Sequence, residues 1–288
     1  MQSPFEPREW HLAHQRSLIL GPQGILMAII NVTPDSFSDG GRNFGIEQAV
    51  ANALDAVAAG AGIIDVGGES TRPGADPVSA TEEQDRVLPV IEALRTRTDA
   101  LISIDTYRAE TARKAVASGA HIINDVHGLQ REPEIADVAA ESAAGICIMH
   151  TGRGREKHPD VIEDQRQFFK VSLAIAEKAG VAPGTIVLDP GFGFNKEMPV
   201  ENLELMRRFQ ELHEFGYPLL AGTSRKRFLG AVTGREAADR DLATAATTAL
   251  LRDRGAAIFR VHDVATNRDA LAVADAMIGS KTETGEGT

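Results

Sequence analysis

A single cysteine, Cys147, stands among the 288 residues. No disulfide within the chain can form, and no cysteine-based metal cluster is available. Long apolar runs are missing too, since none approaches the roughly 18 residues that a membrane helix needs. Residues Met1 to His14 are polar and carry Glu6, Arg8 and Glu9, so the apolar stretch of a signal peptide is not there. These absences make the cytoplasm the expected compartment, with no membrane partner. An excess of positive charge is lacking as well. The chain carries 30 basic against 41 acidic residues, a net charge of -11. A general nucleic-acid binder needs a basic face, so nucleic acid is not an expected partner. An acidic protein that handles anions must instead gather its cations locally. Two nucleotide motifs are also absent. No Walker Gly-x-x-x-x-Gly-Lys-Ser/Thr occurs, and Gly191-Phe192-Gly193 does not complete a dinucleotide fingerprint. No linker and no low-complexity interior divides the chain.

What is there is a rhythm. Short apolar, β-branched runs end in polar loops, and Ala/Leu/Glu/Arg-rich stretches of helical character follow, roughly Ile46–Ala59, Thr81–Arg95, Arg108–Ser118, Glu132–Ala143, Val161–Ala179, Val200–Glu214, Asp241–Asp253 and Thr266–Met277. The strand candidates are Ile25–Asn31, Gly62–Val66, Leu101–Asp105, His121–Asn124, Gly145–His150, Thr185–Asp189, Pro218–Gly222 and Ala257–Val261. They read as continuous apolar runs, as expected for parallel strands whose outer face is covered. Eight βα units of even spacing predict an α/β fold, a single-domain (β/α)8 TIM barrel over residues 25–278. A doubly wound sheet is the alternative. Residues 1–24 form an N-terminal segment in which Leu18–Leu20 is a candidate short strand closing the barrel bottom, and residues 279–288 have the composition of a flexible polar tail. Ala59-Gly60, Ser118-Gly119 and Ala179-Gly180 suit left-handed helix ends.

In a barrel the working groups come from the C-terminal strand ends. Here every strand delivers polar groups to that rim: Asn31, then Glu69 to Arg72, Asp105, Asn124, His150, Asp189, Ser224 to Arg227, and Arg260 to Asp263. Any one of Asp105, Asn124 and Asp189 could merely cap the next helix. Lys226, Arg227, Arg260 and His262, with Arg72, supply the local positive field. The loops after strands seven and eight commonly hold phosphate in such barrels, so a phosphorylated substrate is expected. Asp105 and Asp189, with Asn124, suit the donors and acceptors of a flat heterocycle, because a carboxylate matches an amidine-like N–H pair. Cys147 lies inside an apolar strand and reads as core, and His11, His14, His158 and His213 read as ordinary surface residues.

Together these segments resemble the dihydropteroate synthases of folate biosynthesis, pterin-binding transferases. The resemblance runs from about Ile25 to Met277. It rests on Asn31-Val-Thr-Pro-Asp-Ser-Phe-Ser-Asp-Gly-Gly41, Gly67-Gly-Glu-Ser-Thr-Arg-Pro-Gly74, Ser103-Ile-Asp-Thr106, Ile123-Asn-Asp125, Met149-His150, Asp189-Pro-Gly-Phe-Gly-Phe194, Ser224-Arg-Lys226 and Arg260-Val-His262, in that order. The resemblance implies that Asp105, Asn124, Asp189 and Lys226 hold a pterin ring. It implies that Asn31, Arg260 and His262 bind its pyrophosphate, with Asn31 also contacting Mg2+. Asp105, Asp189, Lys226, Arg260 and His262 are the implied catalytic set. Thr71 and Arg72 would line the substrate site, Phe37 and Pro73 would enclose p-aminobenzoate, and Asp39 would order the first loop. A homodimer is implied in the same way, and the family is a sulfonamide target. The sequence departs from the common pattern at Arg227, where many members carry Ser and which would neighbour the p-aminobenzoate carboxylate. It departs also at Asn195-Lys196 and along residues 151–160. Two rival readings share the ring-binding residues: a methyltetrahydrofolate-dependent methyltransferase, and a non-catalytic pterin-binding paralogue.

Overall fold

Alternate residues of each barrel strand face two different apolar environments, which is why the strands look uniformly apolar in sequence. The computed structural model describes residues 3–32, 41–69, 78–196 and 198–283, without the side chains of 41–44 and 280–283. The inward set supplies one residue per strand to a closed layer: Met27, Ile63, Leu101, Ile122, Cys147, Val187, Leu220 and Ile258. The outward set, such as Ile64, Val66, Ile102, Ile104, Ile146 and Ile148, packs in a second cluster with the helices.

Among the described residues the barrel strands are β3 (Ile25–Asn31), β4 (Ile63–Gly67), β5 (Leu101–Asp105), β6 (Ile122–Asp125), β7 (Gly145–Met149), β8 (Ile186–Asp189), β9 (Leu220–Ala221) and β10 (Ile258–Val261). All pair in parallel, in the order β8-β7-β6-β5-β4-β3-β10-β9. A parallel bridge between Leu188 and Leu219 joins the two ends and closes the barrel. The eight-stranded (β/α)8 architecture expected from the sequence is therefore the observed one.

The barrel bottom is covered by a hairpin of β1 (Arg8–Leu12) and β2 (Arg16–Leu20). Its Trp10, Leu12 and Leu20 pack into the inward layer, and Trp10 Nε1 donates to Thr185 O at 2.7 Å. Gly145 makes room for it: a β-carbon there would lie 2.3 Å from Leu12 Cδ2 and 3.1 Å from the Trp10 ring. The sequence reading has only Leu18–Leu20 as a strand in this region. Its partner β1 is less apolar, since Arg8, Glu9 and His11 intervene between the buried positions.

The helices that position the rim are α1 (Gly41–Ala59), α2 (Ala80–Arg97), α3 (Ala109–Ser118), α4 (Glu134–Ser142), α5 (Val161–Ala179), α6 (Pro199–Arg207), α7 (Arg227–Thr233), α8 (Asp241–Asp253) and α9 (Val264–Glu283). Their ends follow local chemistry. Ser79 caps α2 through the Glu82 amide, and Asp160 caps α5 through the amides of Ile162 and Glu163. Gly119 and Gly180 close α3 and α5 at φ 125° and 82°.

Several helices differ from the sequence reading, and α1 begins at Gly41 rather than Ile46. The stretch Val200–Glu214 divides, because α6 stops at Arg207 and Phe209–Phe215 winds as a 3-10 helix. The three-residue turn stacks Phe209, Leu212 and Phe215 on one face toward the core. The basic stretch after strand seven runs into α7, which buries Phe228 and Leu229. The last helix, which the sequence reading ends at Met277, continues to Glu283, since Gly279 alone does not stop a helix and no proline follows. No helix among the described residues is long and apolar enough to cross a membrane.

Candidate active site

The inward phase that builds the apolar layer also builds the site. Two residues beyond six of the eight layer residues, toward the C-terminal end, the same face presents Asp65, Ser103, Asn124, Asp189, Gly222 and Arg260; β3 and β7 place Ile29 and Met149 there. Two residues further come Gly67 and Asp105, level with Asn31 at the end of β3, and His262 just past the end of β10. The period of two thus converts a dry floor into a polar mouth within two steps.

Arg260 is the hub of that mouth. Its Nε donates to Asp65 Oδ2 and its Nη2 to Asp105 Oδ2, both at 2.6 Å. Burial pushes the Asp105 carboxyl up to about 7, against the pull of Arg260, with Asp65, Glu83 and Asp125 adding to the rise. Asn124 is buried beside them, and its Nδ2 donates to Asp65 Oδ2 at 3.3 Å. Glycine keeps the mouth open. A β-carbon on Gly67 would sit 3.5 Å from Asp105 Cβ and 3.8 Å from Asn31 Oδ1.

Across the mouth, buried Asp189 accepts the Gly191 amide at 2.7 Å through Oδ1. Its carboxyl is raised by burial and lowered by Lys226 and that amide. Lys226 Nζ donates to Phe192 O and lies 4.6 Å from the Phe194 ring centroid. Burial lowers its pKa to about 7, Asp189 opposing. A β-carbon on Gly222 would lie 3.7 Å from Asp189 Oδ2 and 3.9 Å from Lys226 Nζ. Glycine there leaves both charged ends facing the same space. His262 Nδ1 meets Ser224 Oγ at 2.9 Å, and the same Oγ accepts the His262 amide at 3.1 Å.

Asp105, Asn124, Asp189, Lys226 and Arg260 therefore converge, with Asn31 and His262 at the rim above them. None of Asp105, Asn124 and Asp189 caps a helix, so that reading of each falls. Arg260, grouped with His262 by the resemblance, is held down among the carboxylates. Arg227 is exposed on the first turn of α7. Phe37, Asp39, Thr71, Arg72 and Pro73 lie outside the described residues. The flanks of 70–77 meet on one guanidinium: Arg108 donates to Glu69 Oε2 and to Val78 O, both at 2.7 Å.

The observed convergence of a carboxylate/amide patch with half-buried cations is matched by likeness to known proteins. The family of pterin binding enzymes matches residues 27–262. A dihydropteroate synthase of Synechocystis sp. is 44% identical over 264 residues, covering 89% of this chain and 91% of its own. The chain belongs to the dihydropteroate synthases of the pterin-binding enzyme family. It is accordingly a transferase. Two solved dihydropteroate synthases superpose on it closely. That of Clostridium difficile, in the presence of pteroic acid, has a TM-score of 0.86 at 46% identity, covering 90% of this chain and 98% of its own. That of Xanthomonas albilineans, with 4-aminobenzoic acid, has a TM-score of 0.87 at 41% identity, covering 93% and 98%.

Two members of this synthase site escape the sequence reading. Asp65 interrupts the run Ile63-Ile-Asp-Val-Gly67, and a lone charge inside a buried strand was the available signal. Lys196 is the other. It is 4% exposed, and its Nζ donates to Gly191 O at 2.8 Å and meets His150 Nδ1 at 3.0 Å. Burial lowers Lys196 to about 7 and His150 to about 3. A neutral His150 accepts from Lys196 at Nδ1 and presents Nε2–H to Asp164 at 2.9 Å. This buried chain braces the turn that carries Phe192 and Phe194 against Lys226.

Proposed function

We propose that this chain condenses p-aminobenzoate with hydroxymethyl-dihydropterin pyrophosphate, giving dihydropteroate and pyrophosphate in folate biosynthesis. The observation that carries the reading is the convergence of Asp105, Asn124, Asp189 and Lys226 at one barrel mouth. The pteroic acid and 4-aminobenzoic acid of the two solved relatives support it.

The Asp189 carboxylate matches an amidine-like N–H pair on the ring edge, and Lys226 donates from the adjacent side. As the bond from the pterin methylene carbon to the pyrophosphate oxygen breaks, positive charge grows on that carbon. The carboxylates of Asp105 and Asp189 oppose it through a poorly solvated interior. The amine nitrogen of p-aminobenzoate forms the new bond to that carbon and releases a proton. Pyrophosphate leaves with the electron pair of the broken bond. His262, Arg260 and Asn31 bind the departing anion. Arg227 and the segments bearing Phe37, Asp39, Thr71, Arg72 and Pro73 face p-aminobenzoate in this reading.

The residues fit Mg2+. Asn31 ends β3 as an exposed amide with its Oδ1 toward the mouth. Mg2+ ordinarily keeps several waters and takes few protein oxygens beside substrate phosphates, so one amide oxygen next to a pyrophosphate suits it. When bound, the ion neutralises charge on the leaving group.

Purified protein given both substrates and Mg2+ should form dihydropteroate. No product, with pterin binding intact, would sink the reading. Lys226 acts as a cation, and its pKa lies at about 7. It carries its proton below that pH and loses it above, so kcat/KM should fall on the alkaline side of about 7, with an acid limb where the raised Asp105 carboxyl takes up its proton. In Lys226→Arg the alkaline limb should move well upward, because guanidinium stays charged. An unmoved limb would assign it to another group.

A homodimer is part of the same proposal. Leu242 and Leu250 on α8 and Val273 on the neighbouring α9 are 78%, 51% and 72% exposed, a burial deficit that a second copy would cover. Light scattering should give twice the chain mass of 30.8 kDa, and Leu242→Glu should shift the species to monomer. A monomeric wild type at micromolar concentration would refute it.

A further inference from the structure

Asp65 sits at the middle of β4 and is fully buried. One of its oxygens, Oδ2, accepts from two site residues on different strands, Arg260 Nε at 2.6 Å and Asn124 Nδ2 at 3.3 Å. A carboxylate paired with a guanidinium offers acceptors only. The Asn124 amide can therefore approach it only with its NH2 group, and its Oδ1 must point elsewhere. Among the described residues Asn124 Oδ1 has no hydrogen-bond partner although it is buried, and the same holds for Asp65 Oδ1 and Ser103 Oγ. These atoms lie on three successive strands. Asp65 is the register partner of Ser103, and Asn124 follows on β6. Two of the three are obligate acceptors. Buried acceptors without partners are rare because each loses its hydration for nothing, and N–H donors of a bound ring are one means of satisfying the two obligate acceptors.

We propose that Asp65 is a positioning residue for the pterin ring. It fixes the Asn124 amide so that Oδ1 is presented as an acceptor, and it holds Arg260 edge-on between β4 and β5. The inference rests on the pterin reading above. It deepens that reading by assigning the donor/acceptor polarity of this wall to a residue below the mouth. Reversing the amide would turn a donor toward a donor, a mismatch that an unconstrained asparagine side chain would sample freely.

Asp65→Asn keeps the volume and removes the acceptor-only character, since its own amide can donate or accept. KM for the pterin pyrophosphate should rise roughly tenfold, the effect of one mispaired buried polar group. KM for p-aminobenzoate should stay within twofold, a split that general loosening of the fold would not produce. Binding of pterin itself, by calorimetry, should weaken by the same factor. Asp65→Asn should add nothing further in an Asn124→Ala background, because its effect on the ring runs largely through that amide. Equal rises in both KM values, no rise in either, or full additivity with Asn124→Ala would overturn the proposal. The two readings fail separately. A wild type that binds pterin without turnover sinks the synthase reaction, while the calorimetric comparison still decides Asp65. A wild type that does not bind pterin overturns both.

Discussion

Asp189→Asn is expected to lower kcat/KM for the pterin pyrophosphate roughly a hundred- to thousandfold, the range found when one preorganised electrostatic partner is removed. The carboxylate is buried at the C-terminal end of β8, with one oxygen held by the Gly191 amide. Its other oxygen faces the space shared with Lys226. An amide in its place either drops the Gly191 contact or turns NH2 toward the N–H groups of the ring. It also removes the negative charge that helps hold Lys226 protonated and that, in the proposed mechanism, opposes cationic character at the methylene carbon. The loss should therefore appear in kcat as well as KM, with the alkaline limb moved to lower pH. Circular dichroism and the melting temperature should change little, because the residue neutralises a site rather than filling the core. A variant within threefold of wild type would remove Asp189 from the machinery.

The second large effect concerns stability. Arg252 of α8 is completely buried, yet each nitrogen of its guanidinium donates a hydrogen bond. It donates to Asp275 Oδ1 at 2.5 Å, to Gly21 O at 2.7 Å and to Ala256 O at 3.2 Å. Asp275 in turn accepts the Gly24 amide at 3.1 Å. The pair thus ties α8, α9 and the passage from the bottom hairpin into β3. Asp275→Ala leaves an uncompensated buried cation, which costs about 3–5 kcal/mol. For a chain of this size that lowers Tm by roughly 6–10 °C. Arg252→Met in the same background should recover part of the loss, because the charge goes along with its partner. Calorimetric melts of the wild type and the two variants decide it. A melting point of Asp275→Ala within about 2 °C of wild type would show that water or another group compensates Arg252.

The barrel was legible because its cause is local and repeated. Parallel strands buried on both faces must be apolar throughout, and the chain repeats such a run, a polar loop and a helical stretch at even spacing. Strand bounds at Ile25–Asn31 and Leu101–Asp105, and helix bounds at Val161–Ala179 and Asp241–Asp253, agree between the sequence reading and the structure. The site residues at strand ends were legible for the same reason, as charges where apolar runs stop. Asp65 was not, because its charge lies inside a run and its partners lie 195 and 59 residues away. Lys196 was hidden as well, since lysine after a glycine-rich turn ordinarily reaches solvent.

By itself the order of residues determined the fold class, the register of polar rim groups and the membership of the family, because each follows from pattern along one strand or motif. Only the tertiary structure decided which rim groups meet. Closure of the barrel brings β10 beside β3 and points Arg260 inward at Asp65 and Asp105. A cation placed by sequence with the anion-binding residues thereby becomes the hub of the carboxylates. Period-two alternation is visible in one dimension, but the contact of side chains from non-adjacent strands across a closed interior is a property of the ring.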